Sequence, residues 1–110
     1  MLIEFKVANF RSIREEQTFS LVAGNVDRDR AECLIEPNLP GLSGIRLLKG
    51  AAIYGANASG KSNILAALAF VAGLIKDSAT RLGPGEQTGT RPFKLDRESA
   101  TKPSTFELTF

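Results

Sequence analysis

The sequence contains no histidine, no tryptophan and only one cysteine. Without histidine, the chain cannot build a Ser-His or Cys-His catalytic pair or a histidine-ligated metal site. The single cysteine, Cys33, cannot form an internal disulfide, and we expect it to be a buried structural thiol rather than a nucleophile. Several classes of enzyme and metalloprotein are therefore excluded before any motif is considered.

Long apolar runs and an excess of one charge are also lacking. No apolar run approaches the roughly 18 residues of a membrane helix, and the first residues lack the basic and apolar stretches of a secretory signal. Fourteen Lys and Arg against twelve Asp and Glu give a net charge of +2. These charges are spread along the chain and form no basic stripe for nucleic acid. We expect a cytoplasmic protein with no membrane partner.

One stretch organises the rest of the chain. Residues 55–62 read Gly-Ala-Asn-Ala-Ser-Gly-Lys-Ser and fit the phosphate-binding P-loop, or Walker A motif, G-x-x-x-x-G-K-[ST]. The short apolar run Gly50–Tyr54 precedes it and predicts a buried parallel strand. Apolar residues at three- and four-residue spacing follow it from Asn63 to about Lys76 and predict a helix. We expect this helix to start near Lys61. The helix is apolar nearly all round, so we expect neighbours on more than one side.

The motif residues suit a triphosphate with Mg²⁺. Gly55 and Gly60 can adopt positive φ and leave no Cβ between the amides and the ligand. The N–H groups from Ala58 to Ser62 would converge on the β-phosphate at the positive end of the helix. Lys61 would bridge the β- and γ-phosphates, and the Ser62 hydroxyl would coordinate Mg²⁺. The predicted nucleotide-binding residues are Gly55, Asn57, Ala58, Ser59, Gly60, Lys61, Ser62 and Asn63.

Alternating apolar and polar residues predict strands before the P-loop. Leu2–Ala8 and Gln17–Ala23 both alternate, and their closeness in sequence predicts an antiparallel pair. Residues 24–29 predict a solvated loop. Prolines and glycines leave room for only short strands in Ala31–Leu48.

After the helix, Gly, Ser and Thr in residues 78–90 predict a surface loop. Arg91–Leu95 predicts a short edge strand because Pro92 cannot donate to a ladder. Ser104–Phe110 alternates and predicts a strand that the chain end leaves unfinished. The chain is thus predicted to comprise an antiparallel β segment (1–48), the P-loop strand and helix (49–77), and a loop with a β segment (78–110).

The 110 residues are 43% hydrophobic, which predicts one folded domain or a part of one. A complete P-loop nucleotide hydrolase usually needs a sheet of about five or more strands with helices on both faces. The predicted fold is therefore α/β, with antiparallel strands preceding a P-loop strand and helix, as an incomplete domain.

Five segments together resemble the start of one protein family. They are residues 3–13 (Ile-Glu-Phe-Lys-Val-Ala-Asn-Phe-Arg-Ser-Ile), residues 17–23, the motif with its flanks at 52–63, and the pair 93–95 and 103–107. The sequence is similar to the AAA/ATP-binding family related to RecF, SMC and OLD ATPases, found in bacterial abortive-infection and other phage-defence loci. The resemblance covers essentially the whole chain and is more specific than the P-loop alone.

The resemblance implies an ABC-type ATPase head that binds ATP and Mg²⁺. In related heads the Asn-Phe-Arg region lies near the nucleotide, so Arg11 either contacts phosphate or ribose or is a surface arginine. The family's signature motif, Walker B strand and catalytic glutamate match no position here, so no catalytic residue is predicted and hydrolysis by this chain alone is not expected. The implied partners are the rest of the head and a second protomer, with DNA or a defence effector as further candidates.

Two other functions fit the P-loop. A small GTPase or nucleoside kinase is disfavoured, because the sequence has no Asn-Lys-x-Asp guanine motif and two predicted strands precede the P-loop. A nucleotide-binding module without turnover is the other alternative.

Overall fold

The structure is a computed structural model that describes residues 1–24, 30–37, 40–41, 43–78, 83 and 85–110. It contains five strands, one α-helix and one 3₁₀ turn within those residues. Along the chain these are β1 (Glu4–Ala8), β2 (Gln17–Ser20), the 3₁₀ turn (Ala31–Cys33), β3 (Leu34–Ile35), β4 (Leu47–Leu48), α1 (Lys61–Asp77) and β5 (Thr105–Thr109).

The main sheet has three antiparallel strands in the order β2-β1-β5. Phe5 lies opposite Phe19 on β2 and Leu108 on β5. Phe5 and Val7 are buried, while the residues between them point to the other face, as the two-residue period of a strand requires. The strands predicted within 2–8, 17–23 and 104–110 are confirmed, as is the antiparallel pairing of the first two.

Helix α1 packs against the apolar face of this sheet. Ala67 and Val71, one helical turn apart, are its buried residues. Phe10, Phe70 and Phe106 form a triangle beside them, with ring centroids 5.4 to 5.6 Å apart. The helix prediction is confirmed. The buried core consists of Phe5, Val7, Phe10, Ile13, Ala67 and Val71.

The expectation that α1 is covered on more than one side is not met in the described part of the chain. Leu65 and Ile75 of α1 are 59% and 62% exposed. A helix is buried all round only when elements pack on opposite faces. Here only Ala67 and Val71 of α1 are buried, and Leu65 and Ile75 remain exposed.

The predicted buried strand at Gly50–Tyr54 is wrong for this structure. The segment forms no strand, and Tyr54 is 89% exposed. A parallel strand needs neighbours whose backbone groups complete its ladder. All strand pairs among the described residues are antiparallel, and none of them includes this segment.

A second, two-stranded sheet pairs β3 with β4 and meets the end of β2 through a bridge between Val22 and Leu47. The described residues of 31–48 thus hold only short strands, as predicted. Cys33 is exposed, against expectation, because the 3₁₀ turn that carries it buries none of its residues.

The predicted edge strand at Arg91–Leu95 is wrong as well. Pro92 has no N–H, and the Phe93 N–H donates to the Asn9 side chain at 3.0 Å instead of to a neighbouring strand. The two predicted loops are residues 24–29 and 78–90, of which 25–29, 79–82 and 84 lie outside the described residues. The described parts of 78–90 contain no helix or strand.

Candidate functional site

Residues 55–62, here called the loop, make a turn that leads into α1. The Ser59 N–H donates to the Ala56 carbonyl at 3.2 Å and closes the turn. Gly60, at the N-cap of the helix, has a φ of 91°. A residue with a Cβ would lose roughly 1–2 kcal/mol in that left-handed conformation, whereas glycine does not. The glycine therefore allows the chain to change direction and enter the helix.

Gly55 is needed for a different reason from the one predicted. Its φ is not in the positive range, so the expected left-handed conformation is wrong for this glycine. A Cβ built there would lie 2.8 Å from the Ser59 Oγ, closer than real Cβ atoms approach other atoms. The absence of a side chain lets the two ends of the turn come together. The loop residue with positive φ besides Gly60 is Ala58, at 64°.

The ammonium of Lys61 lies over the loop. Its Nζ donates to the carbonyl oxygens of Gly55 at 2.6 Å and Ala56 at 2.5 Å, and it lies 3.4 Å from the Ser59 Oγ. The two carbonyls neutralise no net charge, so the loop retains a full positive charge at its mouth. An anion at this point would be attracted by that charge.

The first residues of α1 present free amides beside this charge. Among the described residues, the N–H groups of Gly60, Lys61 and Ser62 have no hydrogen-bond acceptor. The Ser59 N–H is used within the turn, so it is not available as predicted, and the Asn63 N–H donates to the Gly60 carbonyl. Free amides and the helix dipole together favour an anion at this end of α1. The Ser62 side chain is exposed next to them.

A second turn approaches the loop from the N-terminal segment. Phe10 and Ile13 exchange two backbone hydrogen bonds of 2.8 Å, which leaves Arg11 and Ser12 at the tip. The Asn63 Nδ2 donates to the Ser12 Oγ at 2.5 Å. A Cβ on Gly60 would lie 3.7 Å from the same oxygen. The tip, here called the Arg11–Ser12 turn, thus contacts the start of α1.

Two surface clefts meet at Ser12. The first, called the loop cleft, has a volume of about 370 Å³ and lies between this turn and the loop. The second, called the arginine cleft, has a volume of about 380 Å³ and contains Arg11. The loop cleft is lined by Ser12, Ile13, Arg14, Glu15, Gln17, Ser59, Gly60 and Ile64. The arginine cleft is lined by Arg11, Ser12, Arg91, Pro92, Phe93, Lys94 and Leu95.

Comparison with known families shows the family of the chain. Residues 51–110, more than half of the chain, match the family described as "AAA domain, putative AbiEii toxin, Type IV TA system". The chain belongs to this AAA-domain family. No curated protein and no solved structure matches it. The resemblance to ATP-binding proteins of abortive-infection loci is thereby confirmed.

Membership in the AAA-domain family implies a P-loop NTPase fold, nucleotide binding and the use of Mg²⁺. The loop fits a nucleotide phosphate, because its free amides, the Lys61 ammonium and the exposed Ser62 hydroxyl occur together at one helix end. Mg²⁺ is usually held by one or two protein groups together with phosphate oxygens and water, and Ser62 would supply one such ligand. No helix among the described residues combines the length and apolar character that a membrane span needs.

The structure brings most of the predicted residues together and sets Arg11 slightly apart. The predicted residues of 55–63 all belong to the loop or the first turn of α1. Arg11 lies in the neighbouring arginine cleft, with its guanidinium carbon 5.4 Å from the centroid of the Phe10 ring. Its N–H donates to the Arg91 carbonyl at 2.7 Å, and its φ is 51°.

Two residues of this AAA domain received no role from the sequence. Ser12 joins the N-terminal turn to the first turn of α1, and Asn9 lies buried at the base of the same turn. Both residues lie in the segment 3–13 that carries the family resemblance, and Asn9 opens its Asn-Phe-Arg region, but the resemblance assigns a role only to Arg11. Asparagine is one of the few residues besides glycine that tolerates a positive φ, and Asn9 has a φ of 51°.

Asp96 forms an ion pair with Arg14, which lines the loop cleft. The Asp96 carboxylate accepts hydrogen bonds from the Glu98 N–H and the Ser99 hydroxyl, both at 3.0 Å, and lies 3.3 Å from the Arg14 guanidinium. Those hydrogen bonds, with a smaller contribution from the Arg14 charge, lower the pKa of Asp96.

We expect Asp96 to make the stability of the fold depend on pH. Because its pKa is lowered by folding, its contribution is complete above the ordinary aspartate pKa of about 3.9 and is lost as the pH falls through the lower folded value. Thermal melts of wild type and Asp96→Asn should therefore differ at pH 7 and converge in acid. An equal difference in melting temperature at both pH values would contradict this.

Proposed function

We propose that this chain binds ATP with Mg²⁺ through a Walker A loop at residues 55–62, as the N-terminal part of an ABC-type ATPase head. The observation that carries the proposal is the joint presence of free amides, one ammonium group and one exposed hydroxyl where the loop enters α1. A triphosphate needs this combination of donors, cation and metal ligand.

Each group has a separate role in the proposal. The N–H groups of Gly60 and Lys61 donate to the β-phosphate, and the Lys61 ammonium leaves its loop carbonyls to bridge the β- and γ-phosphates. Ser62 is the Mg²⁺ ligand. The predicted contacts to Asn57, Ala58, Ser59 and Asn63 are proposed for the same ligand, as is a contact from Arg11 to phosphate or ribose.

The head type rests on the strands that surround α1. An antiparallel sheet formed by the first and last segments packs beside the helix that follows the loop. We propose that residues 1–48, 49–77 and 78–110 are the three segments of this part of the head. The rest of the head would supply the parallel neighbours of residues 50–54 and the acidic residue for hydrolysis. A second protomer would complete the nucleotide site, and the intact protein would act in phage defence or DNA transactions.

A calorimetric titration tests the nucleotide assignment. Wild type is titrated with ATP and with GTP, each with Mg²⁺ and again with excess chelator. We expect ATP to bind more tightly than GTP, and removal of Mg²⁺ to weaken ATP binding, because Ser62 contributes through the metal. Equal binding of both nucleotides without any effect of Mg²⁺ would overturn the proposal.

Phosphate release from the same samples separates binding from turnover. We expect release near background for this chain, since Mg²⁺ and water positioning require a further acidic residue. Rapid release would show that the chain carries its own catalytic acid and that the proposed division of the head is wrong. A clear preference for GTP would favour the GTPase alternative.

A further inference from the structure

Asn9 is a buried polar residue whose side chain is fully engaged. It is 7% exposed. Its Nδ2 donates to the carbonyls of Ser99 at 2.8 Å and Lys102 at 2.9 Å, with the Pro103 carbonyl at 3.3 Å. Its Oδ1 accepts the Phe93 N–H at 3.0 Å. One amide therefore holds two separate points of the segment 93–103, which lies more than eighty residues away in sequence.

The backbone of Asn9 holds the base of the Arg11–Ser12 turn. Its N–H donates to the Arg14 carbonyl at 3.1 Å, and its carbonyl accepts the Ser104 hydroxyl at 2.5 Å. Asn9 and Arg14 thus bracket the backbone pair that closes the turn. At the tip, Ser12 accepts the hydrogen bond from Asn63 at the start of α1. These hydrogen bonds, joined by the backbone of the turn, connect the segment 93–104 through Asn9 to the first turn of the helix.

We infer that Asn9 is a positioning residue that fixes Arg11 and Ser12 beside the bound polyphosphate, an inference that rests on the proposed function. Arg11 lies two residues from Asn9, and its own N–H is tied to Arg91. The arginine cleft that contains Arg11 shares Ser12 with the loop cleft, so a loosened turn would let the guanidinium move relative to the loop without changing any group in the loop itself. Asn9 would then influence nucleotide affinity through Arg11, although it touches no ligand.

The chemistry of the site makes Asn9→Asp the sharpest variant. Aspartate has the same shape and tolerates the same positive φ. It keeps an acceptor for the Phe93 N–H but has no donor for the carbonyls of Ser99 and Lys102, and it places a negative charge against them. The substitution therefore removes the anchoring bonds with little change in volume.

A double-mutant cycle on the whole chain tests the inference. Mg²⁺-ATP affinity is measured for wild type, Arg11→Ala, Asn9→Asp and the double variant, under conditions where circular dichroism shows all four to be folded. We expect Arg11→Ala to weaken binding by about tenfold in wild type, the effect of losing one charge-assisted hydrogen bond. In the Asn9→Asp background we expect it to change affinity by less than about twofold, because the arginine is already displaced.

Val71→Ala is the matched control for general destabilisation. Val71 is a buried residue of α1 in the same core cluster as Phe10 and Ile13, but it forms none of the hydrogen bonds of the Arg11–Ser12 turn. In this background Arg11→Ala should still cost about tenfold. If the Arg11→Ala effect is the same in the Asn9→Asp and Val71→Ala backgrounds, the inference is wrong. Should Asn9→Asp not fold, Ser104→Ala, which removes one bond to the Asn9 carbonyl, replaces it with the same expected direction.

Hydrogen exchange at the Arg11 amide gives a readout that does not depend on nucleotide. This N–H donates to Arg91 in the folded chain, so it should be protected. We expect Asn9→Asp to accelerate exchange of the Arg11 amide. In Val71→Ala we expect this amide to remain protected. If neither wild type nor any variant binds ATP, but Asn9→Asp still accelerates exchange at the Arg11 amide, the proposed function alone is refuted. Unchanged exchange in Asn9→Asp would refute the inference alone.

Discussion

Lys61→Ala should weaken Mg²⁺-ATP binding by about ten- to a few hundred-fold. The ammonium is the one full positive charge within the loop, and it already lies at the loop mouth on the Gly55 and Ala56 carbonyls. Its substitution removes one or two charge-assisted hydrogen bonds to phosphate, each contributing about 1.5–3 kcal/mol. At about 1.4 kcal/mol per tenfold change, that range gives the expected loss. Calorimetric titration of both proteins measures it.

Lys76→Ala is the matched control for Lys61→Ala. Lys76 lies in the last turn of the same helix, about 22 Å along the helix axis from Lys61 at 1.5 Å per residue. It carries the same charge but cannot reach the loop, so its removal should change affinity by less than about twofold because salt screens so distant a charge. Similar losses for the two variants would mean that nonspecific attraction, and not the loop, holds the nucleotide.

Local patterns in the sequence were sufficient for the elements that bury a regular face. The alternation around Phe5 and Val7 predicts β1, because every second side chain of a strand points to the same side. The spacing of apolar residues after the loop predicts α1 in the same way. Both predictions depend only on residues within a few positions of one another.

Predictions that depend on partners elsewhere in space did not hold in the same way. The run Gly50–Tyr54 is apolar enough for a buried strand, yet no parallel neighbour among the described residues pairs with it. Leu65 and Ile75 of α1 are exposed for a similar reason. An apolar pattern states what a segment can bury, whereas burial itself requires another element in place.

The candidate site also contains both local features and contacts between residues distant in sequence. The loop residues could be proposed as a site from the sequence because their motif is contiguous and its chemistry is local. Ser12 reaches Asn63 across 51 positions, and Asn9 reaches Ser99 across 90. No periodicity or short spacing reports contacts of that range. The motif requires a glycine at position 55, but it does not give the physical reason. That reason is the close approach of Ser59 and not a positive φ.

Phe10→Ala should lower the free energy of unfolding by about 3–5 kcal/mol. Phe10 is 2% exposed, and its ring lies 5.6 Å from that of Phe70 on α1 and 5.4 Å from that of Phe106 on β5. Removing it leaves a cavity where the helix, the sheet and the N-terminal turn meet. The loss is a large part of the roughly 5–15 kcal/mol that stabilises a typical domain, so urea unfolding should show a much lower midpoint.

Phe110→Ala is the control with identical chemistry at an exposed position. Phe110 is 82% exposed, so its truncation should change the unfolding free energy by no more than about 0.5 kcal/mol. Because Phe10 also lies under the Arg11 guanidinium, Phe10→Ala should weaken ATP binding in the fraction that remains folded, and Phe110→Ala should not. Equal unfolding midpoints for the two variants would show that the aromatic triangle does not hold the turn against α1, and the route from the core to the nucleotide site would then have to run through other residues.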